Sequence, residues 1–458
     1  MRIKLSIPIE LKEIAVASEG TCLSNSNKLI EYITTDSREV QTGDLFIAIK
    51  GERYDASNYL DQVKKQGGLI LSSHKTLSDV YVNESICALL KLASYYTKKL
   101  PCLIYKIGIT GSVGKTTTKE FLKKILSKKY AVHANEGNLN NAIGMSLSIL
   151  SAPESTQIMI AEMGMNHSGE ISVLSKSLQP DIAIITNIGT AHIGNLGTRE
   201  KIAKAKLEIT DGMNGGAVIV PYEEQLLKNT RQIRTYSIVN PKSNFYLSST
   251  VSGVAVYHNG FCLCNANFSF NESHLLNCLS CAVAAALQVG MDSKNLVDGI
   301  SLISNDNVRQ KVVSIGELYF YTDYYNSSLE SVSACINYLK SVNSYSRRSL
   351  VLGDILELGN HSEAIHRRIG RLISHSHFHN LFLFGNEVGY IGEEAVLNGF
   401  PGENIFHNSS VEHPQITAEQ IIKNSISKEI LLVKASRRIK MERIIEQIQL
   451  LSKESLSE

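Results

Sequence analysis

The chain has 458 residues, too long for one hydrophobic core, so two or three domains are expected. Its 46 Lys and Arg against 44 Asp and Glu leave a net charge of +2, which excludes a global footprint for nucleic acid; any anion site has to be local. Hydrophobic residues make 43% and charged residues 20%, the N-terminus lacks an apolar leader, and no apolar run reaches about 18 residues, so a soluble cytoplasmic protein with no membrane partner is expected.

Residues 1–100 read as a first unit. Leu11, Ile14 and Ala15 predict a short amphipathic helix, and Leu45–Ile49 an apolar strand ended by Gly51. Ser37 and Arg38 follow a strand, where such a pair can bind a phosphorylated ligand, although alone they read as a solvated turn. Residues 84–100 predict a helix that Pro101 closes.

Residues 101–310 alternate apolar strands with helical patterns, which implies a parallel, doubly wound sheet with ligands at the carboxyl ends of its strands. The strand Leu103–Ile109 runs into Thr110, Gly111, Ser112, Val113 and Gly114, then Lys115, Thr116 and Thr117, and a helical pattern. The spacing G-x-x-G-K-T makes a phosphate cradle. Glycines let backbone N–H groups approach the oxygens, the helix N-terminus favours an anion, Lys115 adds a cation, and Thr116 offers its hydroxyl to Mg²⁺. Glu162 ends one neighbouring strand and His192 lies in a loop beyond another, so both are candidate metal ligands. Lys201, Lys204 and Lys206 lie on a helical stretch that reads as a solvated face, with reach for one lysine into the site.

Residues 311–458 alternate again and predict a second small α/β domain with Rossmann-like layering. Cys262 and Cys264 fit a strand, and Cys278 and Cys281 an apolar helix. All four are expected to be buried free thiols, not a zinc site.

Several stretches resemble the Mur ligases, in the branch that adds D-alanyl-D-alanine: DSREVQTGDLFIAIKGERYD, GITGSVGKTTTKE, EGNLNNAIGMSLSIL, AEMGMNHSGEI, TNIGTAHIGNLGTREKIAKAKLEI, HLLNCLSCAVAAAL, LGDILELG and LVKASRRIKME. The resemblance spans all three units. It implies a three-domain architecture: an N-terminal UDP-sugar-binding domain over 1–100, a central ATP-binding P-loop domain over 101–310, and a C-terminal Rossmann-like domain over 311–458. It also implies an ADP-forming amide ligase that joins UDP-MurNAc-tripeptide to D-Ala-D-Ala through an acyl phosphate, with ATP and two Mg²⁺ and no oligomer required.

Carried over by motif, Gly111, Ser112, Gly114, Lys115, Thr116 and Thr117 would hold the phosphates. Thr116, Glu162, His192 and a carbamylated Lys206 would hold the metal ions. Asn138 and Asn140 would face the muramoyl substrate and the phosphates, and Ser37 and Arg38 the UDP end. Arg309 would reach the γ-phosphate, Asp323 the ribose and Asn326 the adenine. Asp354, Glu357, His366, Lys434, Ser436 and Arg437 would lie near the dipeptide or the closing interface.

The sequence departs from the family at Ser328 and Leu329, which replace Asn and Pro, at Val308 and Ala435, which replace Gly, and at Ala56-Ser57, which replace Gly-His. These positions concern the nucleotide base and domain closure and spare the phosphate set. Two alternatives stand beside the leading reading: a related ligase recruited to another carboxylate and amine, and a catalytically silent scaffold.

Overall fold

The computed structural model describes residues 1–24, 27–51, 54–304, 311–324, 327–342 and 344–454. Among these residues, three sheets follow one another along the chain, as the resemblance implies. Arg309 and Asn326, with Val308, lie outside the described residues. No described helix is long and apolar enough to cross a membrane.

The first sheet has six strands. The strand Arg2–Glu10, which the sequence reading did not anticipate, pairs antiparallel with Leu29–Thr34 at one edge. Leu45–Ile47 and Leu69–Ser72 continue it in parallel. The expected helices form over Leu11–Ala17 and Ser85–Lys99. The second of these packs against helices 142–150 and 170–178 of the next unit. There Ser177 Oγ donates to Leu90 O at 2.8 Å, and Ser6 Oγ to Ala152 O at 2.7 Å.

The second sheet has nine strands, and Tyr105–Thr110 lies between Ile158–Glu162 and Ile182–Ile185, parallel to both. From Tyr105–Thr110 the chain first lays down the edge strand Val132–Ala134, returns to insert Ile158–Glu162, and then crosses to the other side, which opens a crevice at the carboxyl ends of these strands. Side-chain alternation divides the core in two. Ile107, Ile109, Ile158, Ile160, Ile182 and Ile184 face the helices Lys115–Leu126 and Ser273–Val289, while Met159, Ala161, Ala183 and Ile185 face the opposite core. Helix Lys115–Leu126 buries Phe121, Leu122, Ile125 and Leu126, one stripe at helical spacing.

The third sheet has six strands, parallel except for the hairpin of Lys311–Ile315 and Leu318–Thr322. Helix Leu329–Ser341 packs on its face, against Glu429–Lys434 and helix Ser362–Ser374. Ser328, one of the departures from the family, caps this helix in a reciprocal capping box with Ser331. Ala435, another departure, does not take a left-handed backbone; it is fully buried and packs against Gly353.

The cysteines divide. Cys278 and Cys281 are buried on helix Ser273–Val289, as expected. Cys262 is exposed and Cys264 half-buried, because the strand Phe261–Asn267 forms the outer edge of the nine-stranded sheet. The alternating pattern located that strand correctly but could not reveal its place at the edge.

Helix Ser293–Ser301 crosses the phosphate-loop helix at Gly299, where an added Cβ would lie 2.7 Å from Ile125 Cα. Replacing Gly299 by Ala is expected to destabilise the chain by about 1–3 kcal/mol through overpacking, read as a lower midpoint of urea unfolding.

Candidate active site

Strand Tyr105–Thr110 ends in Gly111, whose φ of 150° and packing exclude a side chain: a Cβ there would lie 1.9 Å from Thr186 Oγ1. Gly114, at φ 81° and ψ −3°, turns the chain into helix Lys115–Leu126. The segment beyond the neighbouring strand braces this loop. Asn187 Oδ1 accepts from the N–H groups of Ser112 and Val113 at 3.0 and 2.9 Å. Thr186 Oγ1 donates to Val113 O at 2.6 Å, and Gly189 N–H to Ser112 Oγ at 2.9 Å. Lys115 Nζ curls back and donates to Gly111 O at 2.7 Å.

Behind the loop, Thr116 Oγ1 donates to Glu162 Oε2 at 2.6 Å and Asn140 Nδ2 to Glu162 Oε1 at 3.0 Å. Glu162 is only 2% exposed. Its backbone is fixed by Asn135, which accepts from Glu162 N–H at 2.8 Å and donates to Glu162 O at 3.1 Å. Lys119, fully buried, lies 4.0 Å from the Glu162 carboxylate. Lys206 sits on helix Arg199–Leu207 and is 1% exposed, whereas Lys201 and Lys204 are exposed. Burial, with the Lys115 cation nearby, holds the Lys206 ammonium well below the ordinary lysine value.

The opposite wall comes from the third unit. Asp323, Ser328, Glu330, Cys335 and Lys434 close a cleft of about 410 Å³ over Ser112–Thr118, Asn140 and Glu162. Lys434 Nζ pairs with Asp323 Oδ2 at 2.7 Å, and Cys335 Sγ donates to the same oxygen at 3.5 Å. Across the junction, Glu330 accepts from Thr190 N–H at 2.9 Å and from Thr190 Oγ1 at 3.0 Å. His274 also lines the cleft; burial pushes its imidazole down to about 4, and among the described residues its buried Nε2 has no hydrogen-bond partner.

His192 does not line this cleft. It has a left-handed φ of 63°, and its Nδ1 lies 2.8 Å from Glu357 Oε2 of the third unit. That hydrogen bond holds the Glu357 carboxyl below its ordinary value. Asp354 accepts from the N–H groups of Asn386 and Val388 at 3.2 and 2.9 Å, and burial raises its carboxyl. His366 is fully buried, and burial lowers its imidazole. Its Nε2 accepts from Ile355 N–H at 3.2 Å, and its Nδ1 lies 2.8 Å from Ser362 O. Ser436 Oγ accepts from Leu356 N–H at 2.9 Å. Asp354, His366 and Ser436 thus hold the loop that carries Glu357. Arg437 pairs with Glu442 at 2.9 Å.

The first-unit residues lie apart from the cleft. Ser37 is buried, while Arg38 is exposed and bonded to Asp36, whose carboxyl it depresses. Asn138 is exposed in the loop before Asn140. Lys119, Asn135 and His274 escaped the sequence reading; for Asn187 the sequence gives its place at this sheet edge, directly after a strand bordering the phosphate-loop strand, but not its hydrogen bonds to the loop.

The donor set fits a polyphosphate with a hard cation. A helix N-terminus and lysine face one end of the cleft, a hydroxyl and carboxylate stand beside them, and an orphaned buried nitrogen lies further along. This fold and this site define a Mur-type ligase, and residues 109–276 match the Mur ligase middle domain. The chain is 33% identical over 456 residues to the UDP-N-acetylmuramoyl-tripeptide–D-alanyl-D-alanine ligase of Bacillus subtilis, covering 96% of this chain and 98% of that one. It belongs to the family of UDP-N-acetylmuramoyl-tripeptide–D-alanyl-D-alanine ligases. A crystal structure of MurF from Acinetobacter baumannii superposes with a TM-score of 0.86 at 26% identity, covering 98% of this chain and 100% of that one. MurF from Thermotoga maritima in complex with ADP gives 0.78 at 25% identity, over 92% and 98%.

Removing the Asn187 side chain strips the Val113 amide of its acceptor, while Ser112 N–H keeps the Asn187 backbone oxygen at 3.2 Å. In Asn187→Ala, amide exchange at Val113 is expected to accelerate about tenfold, the equivalent of one lost hydrogen bond, and that at Ser112 by less, as read by mass spectrometry of the loop peptide.

Proposed function

We propose that this chain joins D-alanyl-D-alanine to UDP-MurNAc-tripeptide at the expense of ATP, giving UDP-MurNAc-pentapeptide, ADP and phosphate for peptidoglycan precursor synthesis. The observation that carries the mechanism is the Thr116–Glu162–Asn140 cluster beside the Gly111–Lys115 loop, facing the third unit across one cleft. A carboxylate oxygen of the tripeptide attacks the γ-phosphorus, the bond to the β,γ-bridging oxygen breaks, and ADP leaves an acyl phosphate. The D-Ala-D-Ala amine then attacks the acyl carbon, loses a proton and expels phosphate. No covalent enzyme intermediate is needed; the protein supplies placement and charge.

In this reading Lys115 and the loop amides hold the β- and γ-phosphates, and Lys115 leaves Gly111 O to do so. Thr116 and Glu162 are the protein ligands of one Mg²⁺, and Asn140 fixes the Glu162 carboxylate. Bound Mg²⁺ would offset charge on the transferring phosphoryl group. Lys206 is assigned as a carbamate: the free-amine form, which burial favours, attacks CO₂ and a proton is released, giving an anion that would join His192 at the second Mg²⁺. Arg309, Asp323 and Asn326 are assigned to the γ-phosphate, ribose and adenine, and Ser37, Arg38 and Asn138 to the UDP-muramoyl end. We assign UDP-sugar binding to residues 1–100, ATP binding to 101–310 and closure to 311–458. The eight free thiols support a reducing, cytoplasmic setting.

The reading is tested by following phosphate release and pentapeptide formation by mass spectrometry. Release that requires both tripeptide and D-Ala-D-Ala supports it, and nucleotide binding without turnover on either tripeptide form would point to a recruited ligase or a silent scaffold. Lys115→Ala is expected to abolish ADP formation. Lys206→Ala is expected to lower kcat by about 10²–10³-fold, with partial recovery in a short-chain carboxylate such as formate. Full activity of Lys206→Ala would remove the carbamate assignment.

A further inference from the structure

The contact between His192 and Glu357 joins a residue of the second unit to one of the third, 165 positions later. Both residues have left-handed backbones, at φ 63° and 67°, and neither is glycine. Their main chains also meet: Gly194 N–H donates to Glu357 O at 3.1 Å. A Cβ on Gly194 would lie 2.6 Å from Glu357 O and 2.6 Å from Gly359 N. The loop on the third-unit side is held from three directions. Asp354 gathers the amides of Asn386 and Val388, His366 takes the Ile355 amide, and Ser436 takes the Leu356 amide. So many supports for one short loop fix where the Glu357 carboxylate points.

A carboxylate on Nδ1 keeps the imidazole proton there, fixes the ring plane and leaves Nε2 as a lone pair. Among the described residues, His192 Nε2 has no hydrogen-bond partner. We propose that Glu357 is a positioning residue for His192. It orients the ring so that Nε2 is presented to the second divalent cation, directly or through one of that cation's waters. Because Glu357 belongs to the third unit, a competent His192 exists only when the two units are docked. The inference rests on the reading of His192 as a metal ligand, and it gives Glu357 a role in completing the metal site instead of holding the dipeptide.

The test uses the full chain with Mn²⁺ as the probe, a non-hydrolysable ATP analogue and the UDP-MurNAc-tripeptide, with free Mn²⁺ read by electron paramagnetic resonance. His192→Ala and Glu357→Ala are each expected to weaken the second Mn²⁺ by about 10–100-fold, and the double variant to be no weaker than His192→Ala alone. Glu357→Gln, which keeps an acceptor for Nδ1–H, is expected to stay within about threefold of the unaltered chain, which separates positioning from misfolding. If His192→Ala weakens Mn²⁺ and Glu357→Ala does not, or if the two losses add, the positioning role is overturned. If His192→Ala leaves the affinity unchanged, the metal-ligand reading itself falls.

Discussion

The site depends on keeping ionisable groups at the carboxyl edge of the central sheet with little water around them. Glu162 is 2% exposed, Lys119 fully buried and Lys206 1% exposed, with Lys115 half-buried beside them. Lys119 lies between two carboxylates, Glu120 at 3.3 Å and Glu162 at 4.0 Å. A buried charge left without a partner costs several kcal/mol, so these contacts have to be kept together. A polyphosphate that binds the cleft of the folded chain stabilises that chain by mass action.

Much of this was legible in the sequence because the signals are local. The phosphate loop is a contiguous stretch whose glycines, lysine and threonine each have a stated reason to be there, and its flanking strands alternate as buried strands do. The positions of Glu162 and Lys206 also followed from short motifs. What local reading missed are supports contributed from far along the chain. Asn187 braces amides 74 and 75 residues away, and Asn135 braces Glu162 across 27. An asparagine in a loop carries no mark of the backbone it will meet. The reading of the lysine helix was half right for the same reason: periodicity shows a polar face but not which of its lysines the sheet will cover.

Two of the departures from the family, Ser328 and Ala435, are explained by local structure. Ser328, standing where the family has Asn, satisfies the first turn of helix Leu329–Ser341 through a capping box, a role serine fills as well as asparagine. Ala435, standing where the family has Gly, occupies ordinary backbone and fills space against Gly353, so its methyl group stabilises the core there without strain. At both positions the helix cap and the core packing are locally complete, so these substitutions leave the cleft wall intact.

The junction between the second and third units shows the opposite economy. His192 and Glu357 hold left-handed conformations that cost non-glycine residues about 1–2 kcal/mol each. Such strain persists only where surrounding contacts impose it. Here those contacts are the Glu330–Thr190 pair, the Gly194–Glu357 backbone hydrogen bond and the His192–Glu357 pair itself. All of them bridge the two units, and buried apolar residues of both, Ile193 and Leu196 on one side and Leu329 and Leu358 on the other, belong to one continuous core. A ligand that touches both walls of the cleft has a differential affinity for the docked form and shifts the balance towards it, whereas a ligand confined to the phosphate loop does not.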